Sequence, residues 1–197
     1  MRSQSLHTLF TDAISEQRAS AGTSKLNKLV SAQMEFGSDV DVLNYALTLE
    51  HLESGFYKLA ADYTLGSDAF GNSIDEWVAA IGAHEDAHVE TLISVITSLD
   101  GEPVEAAEYD FGVTDAASFL ATAAVLENVG VAAYDGAGQF IENADLLTAA
   151  GSIVAVEARH ASYLNLITGA SPFPSAVEIP MTPDEVIAAA TPFFVQP

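Results

Sequence analysis

Residues 84–88 read His84-Glu85-Asp86-Ala87-His88, and the rest of the chain arranges itself around them. Glu85 and His88 lie three residues apart, so on a helix they leave one face within one turn. A carboxylate and an imidazole held in that way can bind one metal ion together. The same Glu-x-x-His spacing returns at Glu157 and His160. Each pair follows a helical stretch with a single Glu on its apolar side, Glu50 and Glu127. Four carboxylates and two imidazoles from four helices make the ligand set of a dinuclear carboxylate site in a four-helix bundle.

The sequence therefore predicts an all-α fold, and its punctuation sets the helices. Ser38 with Asp41 opens the first like a capping box, Asp standing where Glu or Gln is usual. Its stripe is Leu43, Leu47, Glu50 and Tyr57, and Gly66 is its expected end. Ser73 and Glu76 form a capping box for the second, with the stripe Trp77, Ile81, Glu85, His88, Leu92, Val95 and Leu99, stopped by Asp100-Gly101. Thr114 caps the third, which carries Leu120, Ala124, Glu127, Val131 and Tyr134, with Gly136 and Gly138 expected to end or kink it. After a turn at 143–145 the fourth carries Ile153, Glu157, His160, Leu164 and Ile167, and Gly169 with Ser171-Pro172-Phe173-Pro174 stops it. Thr182-Pro183-Asp184-Glu185 starts a short C-terminal helix: cap, proline at the first position, Glu at the third. The domain reading is a helical extension over 1–37, the bundle over 38–170, and a tail with a short helix over 171–197.

The four acids sit near the middle of their helices, and the midpoints of packed helices of similar length share one level. The first and last connections are short, so each joins an antiparallel hairpin. Residues 101–113, extended at roughly 3.3 Å each, reach about 43 Å. That is just enough to run back along a helix of about 40 Å, giving a long crossover between the hairpins. The hairpins also repeat. Leu49-Glu50 precedes Tyr57 by the same gap as Leu126-Glu127 precedes Tyr134, and Ile81, Ala83, Glu85, His88 and Leu92 align with Ile153, Ala155, Glu157, His160 and Leu164 at one offset. A pseudo-two-fold axis would set two equivalent ions side by side.

Composition narrows the classes. Six Lys and Arg stand against 28 Asp and Glu, a net charge of -22. Such a surface repels nucleic acid and anionic membranes. It is expected of a protein working in concentrated salt, where the Debye length falls to about 3 Å; the plain alternative is an ordinary acidic protein. With no cysteine, disulfides, zinc–cysteine sites and thiol nucleophiles are excluded. No apolar run is expected to span a bilayer, and residues 1–20 lack a signal-peptide core. The expectation is a cytoplasmic protein, or an exported one whose leader is absent from the sequence.

In so acidic a chain most carboxylates are solvated, and Glu53, Glu90 and Asp86 are read as surface, with Glu53 a reserve ligand one turn beyond Glu50. His51 and His84 are rotated about 100° from the ligands beside them, which makes them candidates for an outer shell. His7 is read as surface. Tyr57 and Tyr134 are read as core residues with a hydrogen-bonded hydroxyl or as groups that orient a carboxylate.

The paired Glu, Glu-x-x-His pattern resembles the ferritin-like superfamily. Within it the chain is most similar to the ferritin-like domain proteins grouped with desiccation-related proteins, on the phrases LNYALTLEHLESGFY (43–57), HEDAH (84–88) and PMTPDEVIAAATPFF (180–194). The resemblance covers roughly 38–196. It implies Glu50 and Glu127 as terminal ligands, Glu85 and Glu157 as bridges, and His88 and His160 as one imidazole per ion. Carboxylates with one imidazole per ion suit two divalent ions of iron or manganese, iron in preference. The expected function is a di-iron oxidoreductase acting on Fe²⁺ with O₂ or peroxide in stress protection, with a homo-oligomer as a possible assembly. A dimanganese catalase and a non-catalytic stress protein are the alternatives.

Overall fold

The computed structural model describes residues 36–195. The N-terminal helical extension therefore lies outside the described residues, except for Phe36 and Gly37 at its end. Five α-helices follow: α1 Asp39–Tyr57, α2 Ile74–Ser98, α3 Ala116–Ala137, α4 Ala144–Thr168 and α5 Pro183–Ala190. Among the described residues there is no strand, and two isolated bridges, Ser67 with Ser73 and Tyr109 with Phe194, are the β-type pairings.

Helix boundaries follow local hydrogen-bonding chemistry. The Ser38 side chain caps α1 through Asp41 N, and the Asp41 carboxylate accepts in return from Gly37 N and Ser38 Oγ. Ser73 caps α2 through Glu76 N. The α3 cap is Asp115 and not Thr114: Asp115 and Ser118 satisfy each other's backbone amides in a full capping box, which the Asp carboxylate accepts more strongly than a hydroxyl would. Asn143 caps α4, and Gly169 closes it at φ 86°, a conformation glycine adopts without strain. Thr182 and Glu185 form the capping box of α5, with proline in the first turn.

One expected helix end and one expected stripe shift. α1 does not reach Gly66. It tightens after Tyr57 into a 3₁₀ turn, Lys58–Asp62, as helix C-termini often do. In α2 the buried residues are Ile74, Val78, Ile81, Glu85, His88, Leu92 and Ile96. Trp77 is one residue, about 100°, off that stripe and is 48% exposed, and Leu99 is also exposed. α3 ends at Ala137 with Gly138 as its C-cap, and runs on through Gly136. A Cβ there would stand 1.8 Å from the Met181 carbonyl oxygen, so glycine lets the tail press onto α3, where Met181 N donates to Ala132 O (3.0 Å).

The hairpins α1–α2 and α3–α4 pack along their lengths, and α1 packs on α3. α2 and α4 approach each other least of the four sides, leaving a seam. Residues 99–115 form the crossover and are strapped along α1. Asn44 donates to Glu102 O and accepts from Val104 N, His51 Nε2 meets Val104 O at 3.1 Å, and Gly55 leaves room for the Tyr109 ring. His51 thus pins the crossover and does not reach the metal-binding candidates. At one end of the bundle the core is aliphatic, with Leu43, Leu47, Leu92 and Ile96. At the other it is aromatic, with Phe56 stacked on Phe119 at 4.7 Å. The stretch Ala116–Phe140 is long and apolar enough to cross a membrane, contrary to expectation. Here it is one of the four packed helices of the bundle, with Glu127 buried at its middle.

Candidate metal centre

Glu50, Glu85, Glu127 and Glu157 are each 0% exposed, and His88 and His160 are buried with them. They come together because each interrupts the apolar stripe of its own helix at one level of the bundle. Two overlapping donor sets result: Glu50, Glu85, His88 and Glu157, and Glu85, Glu127, Glu157 and His160, with the donor atoms of each within 4.8 Å of one another. The first takes three residues from the α1–α2 hairpin and one from α3–α4, and the second reverses the proportion. Glu85 and Glu157 belong to both.

The arrangement lacks the protons to satisfy itself. His88 Nδ1 has three carboxylate oxygens around it, from Glu50 (3.3 Å), Glu85 (3.1 Å) and Glu157 (3.1 Å). His160 Nδ1 has two, from Glu85 (3.0 Å) and Glu127 (3.1 Å). One ring nitrogen carries at most one proton. Glu50 Oε2, Glu85 Oε1 and Glu157 Oε1 are buried with only a shared imidazole nitrogen to turn to, and Glu157 Oε2 is buried with no donor at all. Lone pairs that converge without donors are what a divalent cation requires, so the residues fit two such ions.

The surroundings repeat across the pseudo-two-fold axis. Tyr57 of α1 donates to Glu127 Oε1 of α3 (2.5 Å), and Tyr134 of α3 donates to Glu50 Oε1 of α1. Each outer carboxylate has one oxygen held by a tyrosine and the other turned to an imidazole. His84 lies on the outer side of His160, with the two rings nearly parallel, their centroids 5.1 Å apart and His84 Nδ1 2.9 Å from His160 Nε2, an edge-to-edge pair. Burial, and then the neighbouring His160, lower the His84 pKa. A neutral His84 can accept the His160 Nε2 proton, which leaves His160 Nδ1 free to face the carboxylates.

Glu53 is not a surface residue. It is 3% exposed and lies beside Glu157. Its position matches Gly130 in the other half of the repeat, and a Cβ at Gly130 would come within 3.1 Å of both Glu157 Oε2 and Glu53 Oε1. One half supplies a fifth acid and the other supplies the space for it. Aligning the two hairpins beyond Glu50 and Glu127 is the signal that could have found it. Asp86 and Glu90 are exposed as expected, and Asp86 accepts from Ser54 Oγ (2.6 Å).

Without a cation the acids cannot all ionise. Burial, reinforced by like charge, pushes Glu50 up to about 8 and raises Glu53 and Glu127 well above the usual range. Burial raises Glu157 as well. Burial also pushes Glu85 upward, but hydrogen bonds from His160 and His88 outweigh it and hold Glu85 at about 2. Burial opposes the charged imidazoles, yet the surrounding carboxylates raise His88 to about 12 and His160 to about 10.

Residues 38–170 match the ferritin-like domain. The chain belongs to the ferritin-like domain family. Among solved structures, a conserved hypothetical protein, rv2844, from Mycobacterium tuberculosis is similar at 24% identity and a TM-score of 0.58, over 71% of this chain and 96% of that one. At that identity the likeness bears on the ferritin-like fold alone. Among curated proteins no significant match is found.

Proposed function

We propose that the ferritin-like bundle holds two divalent metal ions, iron in preference to manganese, and works as an oxidoreductase on Fe²⁺ with O₂ or peroxide. The observation that carries this reading is the excess of acceptors over protons around His88 and His160. Glu50, Glu85 and His88 would hold one ion and Glu127, Glu157 and His160 the other, with Glu85 and Glu157 shared. Two iron ions held there would supply two one-electron redox couples, matching the two-electron reduction of O₂ or peroxide. The protein's part is to orient and to insulate. Tyr57 and Tyr134 each fix one oxygen of Glu127 and Glu50, His84 fixes the His160 ring, and the aliphatic and aromatic cores on either side exclude water. The phrases shared with desiccation-related proteins and the acidic surface support a stress-protective role in concentrated salt.

Metal analysis of natively purified protein, with an anomalous-scattering map, tests the reading directly, followed by O₂ uptake on adding Fe²⁺. Steady O₂ release from peroxide with manganese bound would make it a dimanganese catalase. Purification without metal, and a melting temperature unmoved by Fe²⁺ or Mn²⁺, would make it a structural protein.

A further inference from the structure

The seam between α2 and α4 opens, beside His84 and His160, into a cleft of about 420 Å³. Three large apolar side chains are exposed along its lining: Phe70 at 78%, Trp77 at 48% and Leu166 at 45%. Single exposed apolar residues are ordinary, but a group of them around one opening marks a binding surface. Tyr163 adds another ring to the lining. The floor is flat and aromatic, because the His84 and His160 rings, 11° from parallel and meeting edge to edge, close it towards the carboxylates.

Charge supplies the second observation. Among residues 36–195 Lys58 is the one lysine and Arg159 the one arginine, and Arg159 lines this cleft. It makes no ion pair or hydrogen bond among the described residues. In a chain carrying -22, an arginine without a carboxylate partner marks a place for an anion. Asp68 lines the cleft too. Its oxygens, however, accept from the Phe70 and Asn72 amides, the Asn72 side chain and the Tyr163 hydroxyl, and so serve the loop.

We propose that this cleft binds a small planar aromatic molecule bearing one negative charge, its ring against Trp77 and the His84–His160 floor and its anionic group on Arg159. Pockets of this size take ligands of a few rings, and an arginine fork suits a carboxylate. The competing occupant is an aromatic cation, which exposed rings in an acidic protein would also attract; the unpaired Arg159 decides against it. The role of the bound molecule, as organic co-substrate of the adjoining centre, rests on the metal reading above. Its binding does not.

The test is calorimetric titration of the full chain, metal-loaded and chelated, at fixed KCl concentration. Three probes of one shape are used: 1-naphthoate, 1-naphthylmethanol and 1-naphthylmethylammonium. Naphthoate should bind at one saturable site, with the alcohol and the ammonium at least about tenfold weaker. Arg159→Gln should remove that preference for naphthoate over the alcohol, and Trp77→Leu should weaken both. Both side chains are exposed, so melting temperatures should match wild type. No saturable naphthoate binding, equal or tighter binding of the ammonium, or a preference that survives Arg159→Gln overturns the proposal. Naphthoate binding that survives chelation supports the cleft even if native protein proves metal-free, so the two readings fail separately.

Discussion

Glu53 and Glu85 are both buried in one cluster, yet they should behave oppositely when neutralised. Glu53 is raised by burial and by Glu157, so in metal-free protein the native state binds more protons than the unfolded chain above the usual carboxylate value of 4.5. Stability contributed by that protonation is lost as pH rises through the window. Glu53→Gln removes the penalty and should raise metal-free stability at pH 8 by about 1–3 kcal/mol, with little effect near pH 4. Glu85, held at about 2 by two imidazoles, contributes stability that is present above 4.5 and lost as pH falls towards 2. Glu85→Gln should therefore cost the metal-free protein about 2–4 kcal/mol at pH 7 and abolish any rise in melting temperature on adding Fe²⁺ or Mn²⁺. Thermal melts from pH 4 to 8, with and without metal, check both; a stabilising Glu85→Gln or a strongly destabilising Glu53→Gln would refute this account of the cluster. His88 and His160, raised to about 12 and 10, add to the fall in metal-free stability above pH 6.5. The buried cluster of Glu50, Glu85, His88, Glu127, Glu157 and His160 was legible in the sequence because a Glu-x-x-His that breaks an apolar stripe has no bland explanation. Glu53 was not, since a second Glu one turn later in an acidic helix looks solvated until Gly130 is set against it.

At the level of elements, two glycines of the same bundle make a controlled pair. Gly136 in α3 meets the Met181 carbonyl, whereas a Cβ on Gly151 in α4 would meet nothing within 4 Å. Gly136→Ala should destabilise by about 1–3 kcal/mol through overpacking and raise amide exchange over 181–194. Gly151→Ala should instead stabilise by up to about 1 kcal/mol through helix propensity alone. If both raise the melting temperature, the tail is not held where the structure holds it. The helices could be placed from capping residues and periodicity, with the caps of α1, α2 and α5, whereas the α3 cap lies one residue beyond the one expected. The tail's grip on α3, the 3₁₀ turn at 58–62 and the pinning of the crossover by His51 could not. Each depends on which surface a loop meets, and that is set by packing distant in sequence. Trp77 misled for a related reason: it lies four residues before Ile81 and Val78 three, so the spacing admits either, and packing buries Val78.

For the whole molecule, charge is the dominant fact. With -22 on one chain and one lysine and one arginine among residues 36–195, self-repulsion should be large in dilute buffer and screened in salt. The melting temperature should climb steeply with KCl towards molar concentrations. A flat response between low and high salt would remove the halophilic reading without touching the proposed metal site.

Because each donor set takes three side chains from one hairpin and one from the other, bound ions would also rivet two separable pieces. A protease site placed at residues 105–107, exposed on the crossover, would let the chain be nicked without removing a ligand. In low salt the halves, both acidic, should co-elute on size exclusion when Fe²⁺ or Mn²⁺ is present and part when it is chelated. Halves that stay together regardless of chelator would show that side-chain packing between α1 and α3 suffices. Halves that reunite only with metal would show that a bundle of this kind can be assembled from two hairpin peptides by the ions themselves.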